Sequence, residues 1–590
     1  MLEARFDDLT GASPSFRLAG PVGVLEATRA GEVVETLAAA EAASGRGLWV
    51  AGFVAYEAAP GLDPALTVWQ RDPGDPFASL PLAWFAMFER AEETDLAFPR
   101  DGRPETGEAW VATTRPARYE TSIARIRALI ARGETYQVNH TIRLRSHLDG
   151  DPRGLYRDLC FAQRGAFAAY LDLGRYRIAS ASPELFFERR SDRIVTRPMK
   201  GTAPRGRWPA EDREVAEALL ASVKDRAENA MIVDLLRNDL GRIARPGTVT
   251  WTDAFDAERY ETVWQLTTTV SATLAAGAGL AEIFRAVFPS GSVTGAPKVR
   301  TMEIIHELED TPRGVYCGAM GYLAPAGSAG PDARFSVAIR TVTVDTSTGT
   351  AEYGVGGGIT WDSAAGAEYE ETVAKASVLT ARRPAFQLFE TMRFEPDEGV
   401  RHLDEHLERL RGSADHFGFR LDPQEARETV EKAAASAPSK PCRVRLTLSR
   451  NGAVVAACTS LPPDRDPVLV VIDHVPQDPH DVFLFHKTTL RHRYEEARRR
   501  HPDADDVLLI NDRGEVTEST IASVGVRLDG TWWTPPTDAG LLPGVGRALA
   551  LADGSLRERP IRVEEARAAE EVVLVSDARG WRRAEVIPAG

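Results

Sequence analysis

Two ionisable side chains in the first half of the chain, Glu184 and Lys200, have the chemical types needed for a substitution reaction. Lys200 lies within the run Pro198–Thr202, sixteen residues after Glu184. A lysine amine is a nucleophile only when neutral, which requires burial or a neighbouring cation. A carboxyl group that stays protonated nearby can help a hydroxyl group to leave. The alternative interpretation, from ordinary burial tendencies, is an exposed lysine in a Gly-Thr turn.

Two predicted helices each present a carboxylate to this part of the protein. The periodicity of Lys224–Ile243 places Glu228 on an apolar face, where a carboxylate needs a cationic partner. The helix Glu368–Ser377 aligns Glu371 and Lys375, which as a solvated pair would contribute only ~0.3–0.5 kcal/mol. Two acids from separate helices predict a Mg²⁺ site, because Mg²⁺ accepts one or two protein carboxylates and keeps other positions for water and substrate.

Two glycine-rich segments predict close approach of the backbone to a ligand. Gly354–Ile359 precedes the second helix and is predicted to be a loop. Phe288–Lys298 precedes a helix that is predicted to begin near Val299, and a helix N-terminus suits an anion.

The second half carries another separated lysine and glutamate. Asp481–Lys487 is predicted to be a strand that ends in Lys487, and Glu518 follows about thirty residues later. Gly540–Arg547 then leads into a helix predicted from Ala548, so that its backbone amides suit a phosphate ester. An amine, a carboxylate and a phosphate-binding turn are together what pyridoxal phosphate requires. Separately, each is more often a solvated charge or a plain turn.

Composition restricts the possible partners and compartment. With 590 residues the chain needs several packing units, and Arg382–Pro384 divides it into predicted domains 1–383 and 384–590. The net charge of −15 argues against nucleic acid and gives no indication of a membrane surface. Four widely spaced cysteines and the lack of a long apolar run predict a soluble cytoplasmic protein.

Longer strings in the first half resemble the chorismate-utilising enzymes, which include anthranilate, isochorismate and aminodeoxychorismate synthases. The similarity covers about residues 115–380 and is carried by SPELFFE, PMKGTAPRG, KDRAENAMIVDLLRNDLGRI, FPSGSVTGAPKVRTMEII, FSVAIRTV and GGGITWDSAAGAEYEETVAKA. It implies an α+β fold with large antiparallel sheets surrounded by helices, and chorismate as the substrate. It also implies site roles: Glu184 as general acid, Glu228 and Glu371 as Mg²⁺ ligands, and contacts to the substrate carboxylates from Thr294, Gly295, Tyr316, Arg340, Gly357 and Lys375.

Within that family, the residue at position 200 separates two reactions. An alanine is typical of anthranilate synthases and a lysine of aminodeoxychorismate synthases. The resemblance therefore implies that Lys200 attacks C2 of chorismate and that ammonia then enters at C4, which gives 4-amino-4-deoxychorismate. None of the four cysteines has the small-residue setting of a glutaminase nucleophile, so a separate glutamine amidotransferase subunit is the implied source of ammonia.

The second half resembles the class IV aminotransferases of pyridoxal-phosphate fold type IV. LFETMRF, HLDEHLERLRGSADHFGF, HKTTLRHRYEEA, NDRGEVTESTIASV and GLLPGVGRALAL carry the similarity over residues 386–590. It implies that Lys487 binds pyridoxal phosphate covalently and shuttles a proton, and that Glu518 pairs with the pyridine nitrogen. The phosphate would be held by Arg409, Val545, Gly546 and Ser576. Enzymes of this fold type usually pair their subunits, so a homodimer through the C-terminal domain is expected.

The fusion of the two halves indicates a sequential function. The product of the first half is the substrate of aminodeoxychorismate lyases, so the leading hypothesis is synthesis of 4-aminobenzoate, a folate precursor, from chorismate and ammonia. Two enzymatic alternatives remain: an amino-acid transaminase as the second half, and an anthranilate synthase as the first. A third alternative is a C-terminal docking module without catalysis.

Overall fold

The chain divides into two compact units, each described here by itself. The computed structural model describes residues 2–95, 109–380, 385–437, 440–461, 463 and 465–588, so the predicted junction at Arg382–Pro384 lies outside the described residues. Unit 1 comprises Met1–Pro204 and Ala216–Arg383; unit 2 comprises Arg205–Val215 and Pro384–Gly590. The assignment of Arg205–Val215 to unit 2 was not predicted from the sequence.

Within its described residues, unit 1 contains two antiparallel sheets of ten strands each. The first pairs in the order β16 (Gly295–Ala296), β8 (Gln137–His147), β20 (Thr350–Ile359), β19 (Thr341–Asp345), β10 (Tyr176–Ser182), β9 (Phe167–Asp172), β1 (Glu3–Asp7), β2 (Phe16–Ala19) and β6 (Glu92–Glu93), with β7 (Val111–Ala112) beside β8. The second pairs in the order β13 (Met199–Pro204), β15 (Val263–Thr273), β12 (Arg193–Arg197), β11 (Leu185–Arg190), β18 (Ala333–Val337), β17 (Ala319–Leu323), β4 (Trp49–Val54), β5 (Ala83–Phe88) and β3 (Gly23–Ala27), with β14 (Thr250–Arg259) beside β15.

Helices cover these sheets and close their apolar faces. They are α1 (Val33–Gly45), α2 (Ala59–Leu62), α3 (Pro116–Ala131), α4 (Pro152–Gln163), α6 (Val223–Gly241), α7 (Leu280–Val287), α8 (Lys298–Leu308) and α9 (Ala365–Ala376), while α5 (Pro209–Ala221) crosses the division between the units. Amphipathic helices on antiparallel sheets are the arrangement that buries one face of each element. The predicted α+β class with large antiparallel sheets is confirmed.

Unit 2 has a small sheet and a larger mixed sheet, each with its own apolar core. The small sheet runs β22 (Gly399–Val400), β21 (Leu388–Glu395), β23 (Cys442–Leu448) and β24 (Val454–Ser460); the larger runs β27 (Val516–Ser519), β26 (Asp506–Ile510), β25 (Val468–Ile472), β32 (Gly580–Val586), β31 (Glu571–Ser576), β28 (Ser523–Leu528), β29 (Thr531–Thr534) and β30 (Arg557–Glu558). The helices are α10 (Leu403–Phe417), α11 (Pro423–Ala435), α12 (His492–Arg500), α13 (Val545–Ala552) and α14 (Val563–Ala568).

Two predicted elements are wrong. Asp481–Lys487 is not a strand, because its residues Val482–Leu484 form a 3₁₀ turn capped by the Asp481 side chain. Gly354–Ile359 is not a loop; it is the end of β20 and pairs with β8 along its whole length. Among the described helices, none has both the length and the apolar character required to span a membrane.

Candidate active sites

Lys200 lies on β13 and reaches the glycine-rich end of β20, which belongs to the other sheet. Its Nζ atom is 3.0 Å from the position that a Cβ atom on Gly358 would occupy. Burial lowers the pKa of the half-buried Lys200, and the charge of Lys375 lowers it further. Three carboxylates oppose these effects, those of Glu228, Glu184 and Glu371. The structure therefore places the predicted nucleophile, general acid and metal ligands in one site between the sheets.

A bulge in β13 sets the direction of the lysine. The register of β13 against β15 shifts between Met199 and Thr202, so one extra residue is accommodated next to Lys200. Gly201 has a φ of 92°, and a Cβ atom there would lie 2.9 Å from the Cβ atom of Asp225. Only glycine fits that backbone conformation and that contact without strain. The Lys-Gly pair thus allows β13 to bend at the reactive residue.

Glu184 is buried in the short connection between β10 and β11. Its side chain is 4% exposed, and the Ser292 hydroxyl donates a hydrogen bond of 2.6 Å to its Oε1 atom. Burial raises the pKa of Glu184 to about 7, although the Ser292 hydrogen bond and the charge of Lys200 act in the other direction. A large fraction of Glu184 is therefore protonated near neutral pH, as a general acid requires.

The two predicted metal ligands come from different helices and differ in electrostatic state. Glu228 on α6 is half-buried, and burial raises its pKa against the influence of Lys200. Glu371 on α9 pairs with Lys375 at 2.6 Å, and this ion pair outweighs burial so that its pKa is lowered. The negative charge of Glu368, also on α9, contributes to the raised pKa of Glu228. Such a set of hard oxygen donors fits Mg²⁺.

The predicted anion-binding residues flank the same stretch of β8. Gly295 pairs with Val138 of β8 on one side, and Gly357 pairs with His140 on the other. Thr294, the neighbour of Gly295, is fully buried. A Cβ atom on Gly357 would lie 3.4 Å from Lys375 Nζ, so the ammonium lies directly over the glycine backbone.

Arg340 and Tyr316 belong to other segments and lie beside β20, near Tyr353 and Gly354 respectively. Arg340 donates to the carbonyl oxygen of Lys375, and among the described residues it has no carboxylate partner. Its φ of 53° is a sparsely populated conformation for a non-glycine residue, of the kind that clusters at functional sites. The Tyr316 ring is packed so closely against β20 that a Cβ atom on Gly354 would lie 2.1 Å from it.

Sequence reasoning missed the polar residues of β8. Gln137 Oε1 and both ring nitrogens of His140 are buried without a hydrogen-bond partner within the described structure. A Cβ atom on Gly358 would lie 2.2 Å from Gln137 Nε2, so Gln137 is adjacent to the Lys200 amine. Burial lowers the pKa of His140 to about 4, which keeps the ring neutral. The available signal was the presence of four polar residues, Gln137, Asn139, His140 and Thr141, within five positions of a buried strand.

Gly358→Ala is expected to reduce kcat/KM for the conversion of chorismate about 10- to 100-fold, because the new methyl group displaces Gln137 and the Lys200 amine from β20. Steady-state kinetics with ammonium as the nitrogen source would measure this. Gly366→Ala is the matched control, since nothing lies within 4 Å of the added methyl group. Equal kinetics for the two variants would contradict the placement of Lys200.

Lys487 lies three residues after the 3₁₀ turn Val482–Leu484. Its backbone oxygen accepts a hydrogen bond of 3.0 Å from the N–H of Phe389 on β21. Its Nζ atom lies 5.0 Å from the centroid of the Phe389 ring. Burial lowers the pKa of Lys487 to about 8, and the charge of Arg409 contributes to this shift. The amine is thus neutral in a useful fraction at physiological pH.

Glu518 on β27 is the predicted partner of a pyridine nitrogen. It is 5% exposed, accepts a hydrogen bond of 2.9 Å from the Tyr494 hydroxyl, and accepts a second of 3.3 Å from the N–H of Leu542. Burial raises its pKa to about 7. A protonated ring nitrogen is the cationic partner that a buried carboxylate of this kind needs.

The predicted phosphate-binding residues come together at the start of α13. Gly544 caps this helix, so the N–H groups of Val545 and Gly546 lie in its first turn, where they have no intrahelical partner. A Cβ atom on Gly546 would lie 2.8 Å from the carbonyl carbon of Ser576, so only glycine allows this close approach. Arg409 donates to the carbonyl oxygen of Pro543 at 3.1 Å. This cradle, with Lys487 and Glu518, fits pyridoxal phosphate.

A buried ionic chain behind the cradle was not predicted. Arg409 pairs with Glu390, and Glu390 also contacts His406 Nδ1 at 2.8 Å. His406 Nε2 in turn contacts Asp577 at 3.0 Å. The orientation of Arg409 therefore depends on Glu390, which lies on β21 and is 1% exposed.

Comparison with known protein families agrees with the two units. Residues 9–381 match the family of chorismate binding enzymes. The chain belongs to that family. Residues 387–587 match the class IV amino-transferases. Both matches confirm the resemblances drawn from the sequence.

Individual relatives cover the first half. Aminodeoxychorismate synthase component 1 of Salmonella typhimurium is 42% identical over 269 residues, which are 46% of this chain and 58% of that protein. Anthranilate synthase component 1 of Haloferax volcanii is 40% identical over 319 residues, 53% of this chain and 59% of that protein. The crystal structure of anthranilate synthase component I from Streptococcus pneumoniae superposes with a TM-score of 0.54 at 25% identity, covering 63% of this chain and 93% of that one. This chain thus spans under two thirds of the curated relatives it matches.

Proposed function

We propose that the chain makes 4-aminobenzoate from chorismate and ammonia in two reactions, with 4-amino-4-deoxychorismate as the compound that connects them. The observation that carries the proposal is the position of Lys200, whose amine lies against Gly358 of β20, has a lowered pKa and interacts with the charges of Glu228, Glu184 and Glu371. Identity to relatives does not decide between amination at C4 and anthranilate formation, since both kinds of synthase match at 40–42%. Lys200 favours the first.

In the first reaction the Lys200 amine attacks C2 of chorismate while Glu184 donates its proton to the C4 hydroxyl, which leaves as water. The two ring double bonds shift as the C2–N bond forms and the C4–O bond breaks. Ammonia then forms a bond to C4, the double bonds shift back, and the C2–N bond to Lys200 breaks. Two displacements through the lysine place nitrogen at C4 rather than C2.

The remaining residues bind and orient the substrate. Arg340, Lys375 and the backbone at Thr294–Gly295 supply positive charge and N–H groups for its two carboxylates. Mg²⁺ held by Glu228 and Glu371 would supply further positive charge for the same anion. The name "component 1" of the relatives supports a second, ammonia-supplying component, and we propose a glutamine amidotransferase as the partner.

In the second reaction Lys487 removes the proton from C4 of aminodeoxychorismate. Loss of that proton and cleavage of the C3–O bond make the ring aromatic, and the enolpyruvyl group leaves as pyruvate. Pyridoxal phosphate, held by Lys487, Glu518, Arg409, Val545, Gly546 and Ser576, supplies the electron sink when bound. Arg445 and Arg491 have no carboxylate partner among the described residues. The Arg445 guanidinium lies 4.2 Å from the centroid of the Phe389 ring, which Lys487 also contacts. The two arginines can therefore bind a substrate carboxylate.

The test is product analysis of the purified chain with chorismate, Mg²⁺, ammonium and pyridoxal phosphate. We expect 4-aminobenzoate and pyruvate in equal amounts without an added keto acid. If the second unit is instead an amino-acid transaminase, aminodeoxychorismate should accumulate. The second unit should then turn over only when a keto acid is added as amino-group acceptor. Anthranilate as the main product would contradict the assignment of the first unit. Dimerisation through the second unit is a separate proposal that sedimentation would test.

A further inference from the structure

The segment Arg205–Val215 contributes to the surroundings of the second lysine although it lies within the chorismate-binding region of the sequence. Family matching places it in the first region, residues 9–381, yet it packs with unit 2. Only Gly201–Pro204 separate it from Lys200 along the chain. The residues that it contacts in unit 2 include Phe485 and His486, the two residues before Lys487.

The first contact is a buried hydrogen-bonded histidine. His486, next to Lys487, is 3% exposed, and its Nε2 lies 3.1 Å from the carbonyl oxygen of Arg207. Because a carbonyl oxygen only accepts, Nε2 carries the proton, and Nδ1 accepts from the Ser413 hydroxyl at 2.9 Å. Burial lowers the pKa of His486 to about 4, which agrees with a neutral ring that has both nitrogens satisfied.

The second contact is aromatic and involves the other neighbour of this histidine. The Trp208 ring lies 5.0 Å from the ring of Phe485. The Arg207 guanidinium lies over both rings, at 4.7 Å from Trp208 and 5.4 Å from Phe485, and donates to the carbonyl oxygen of Pro479 at 3.2 Å. Phe485 and His486, the two residues before Lys487, are thus both held by the segment.

A buried ion pair fixes the segment itself. Arg205 pairs with Asp212 through hydrogen bonds of 2.7 and 2.6 Å, with both side chains less than a tenth exposed. Arg205 also donates to the carbonyl oxygen of His416 on α10 at 3.1 Å. A Cβ atom on Gly206 would lie 2.3 Å from the N atom of Asp212, so the turn requires glycine. The segment is therefore a defined element of unit 2 rather than a loose connection.

We infer that Arg205–Val215 is a positioning segment for Lys487: it holds Phe485 and His486, and through them the backbone that presents the lysine amine to the cofactor cradle. The inference rests on the proposed function of the Lys487 site. It means that the first family region supplies a part of the second reaction centre. Loss of the His486 contact leaves the Arg207 carbonyl and the Ser413 hydroxyl unsatisfied in a buried place, which favours displacement of the neighbouring lysine.

The experiment compares the full chain with His486→Leu, His486→Gln and Trp208→Ala. The dissociation constant for pyridoxal phosphate is measured on the cofactor-depleted chain by absorbance titration, together with the pH dependence of the binding rate. We expect His486→Leu to raise the dissociation constant at least tenfold and Trp208→Ala three- to tenfold. His486→Gln can still donate to the Arg207 carbonyl and should return to within threefold of the parent chain.

The pH dependence separates positioning from general stability. In the parent chain the binding rate should rise with pH and level off near the Lys487 pKa of about 8, which reflects burial, Arg409, Glu390, Arg491 and Glu518. A displaced, more solvated lysine should level off at higher pH in His486→Leu but not in His486→Gln. A lower melting temperature alone would not move this midpoint.

Glu214→Ala is the matched control, because Glu214 is an exposed residue of the same segment. Dissociation constants within twofold of the parent for both His486→Leu and Trp208→Ala would overturn the inference. If His486→Leu does not fold, Trp208→Ala alone decides. A parent chain that fails to bind pyridoxal phosphate would instead contradict the proposed function of the site.

Discussion

Lys200→Ala is expected to stop the formation of 4-amino-4-deoxychorismate, with a decrease in rate on the order of 10³-fold or more. The reason is that the variant lacks the attacking amine, while Lys375, whose charge acts on Lys200, is held by Glu371 at 2.6 Å and by the carbonyl oxygen of Gly356 at 3.1 Å. Chromatography of the products from chorismate, Mg²⁺ and ammonium would measure the loss. Slow anthranilate formation in its place would agree with the alanine that is typical of anthranilate synthases.

Lys432→Ala is the control for this variant, since Lys432 is an exposed lysine on α11. Its product profile should equal that of the parent chain. Unchanged aminodeoxychorismate formation by Lys200→Ala would refute the covalent role of the lysine, even if the chorismate-binding fold is intact. The melting temperature should change little, because the relieved desolvation cost of the half-buried amine offsets the loss of its interactions with the three carboxylates.

The elements with a strong helical period could be predicted from the sequence. Lys224–Ile243 was predicted and Val223–Gly241 is observed; Glu368–Ser377 was predicted and Ala365–Ala376 is observed. Helical periodicity is a local property, so it survives without knowledge of the rest of the fold. The buried face of the helix was predicted less exactly than its bounds. Glu228 was predicted on the apolar face of α6, but it lies at the edge of the buried face, beside the fully buried Asn229.

Elements that depend on distant partners could not be predicted. Gly354–Ile359 is a strand only because it pairs residue by residue with Val138–Arg143, more than 200 positions earlier. Its glycines are poor strand formers locally, and they are tolerated because the Tyr316 ring and the Lys200 amine occupy the space where side chains would be. The strand prediction for Asp481–Lys487 is wrong for a local reason. Its apolar residues suggested a strand, but the Asp481 side chain caps a 3₁₀ turn.

The candidate sites also divide into features that a local sequence pattern indicates and features that depend on distant parts of the chain. Single candidate residues such as Lys200 and Lys487 could be named from the sequence because the family resemblances assign them roles; taken alone, each is more often a solvated charge. Their supporting residues were missed, because Ser292, Gln137 and Glu390 become meaningful only when the fold brings them within contact distance. The packing of Arg205–Val215 with unit 2 could not be predicted from the sequence, since nothing local in the segment indicates which residues it contacts.

Lys487→Ala is expected to have the opposite effect on the product mixture, with accumulation of 4-amino-4-deoxychorismate and a decrease in 4-aminobenzoate formation of about 10²–10⁴-fold. The substitution removes the amine that takes the C4 proton, and Glu518 is bound to Tyr494 and Leu542 and is not free to replace it. Chorismate consumption should stay within twofold of the parent, because the Lys200 site is built entirely from unit 1 residues. Coupled measurement of chorismate loss and pyruvate release follows both reactions at once.

The two lysine variants control each other when purified aminodeoxychorismate is supplied. Lys200→Ala should convert it to 4-aminobenzoate at the parental rate, while Lys487→Ala should not. Mixing the two variants should then restore 4-aminobenzoate synthesis from chorismate, since the connecting compound can diffuse from one chain to the other. Failure of the mixture, with each partial reaction intact, would show that the compound must pass within one chain. Pyruvate release by Lys487→Ala at the parental rate would contradict the assignment of the second site, because then no proton transfer by this amine is required.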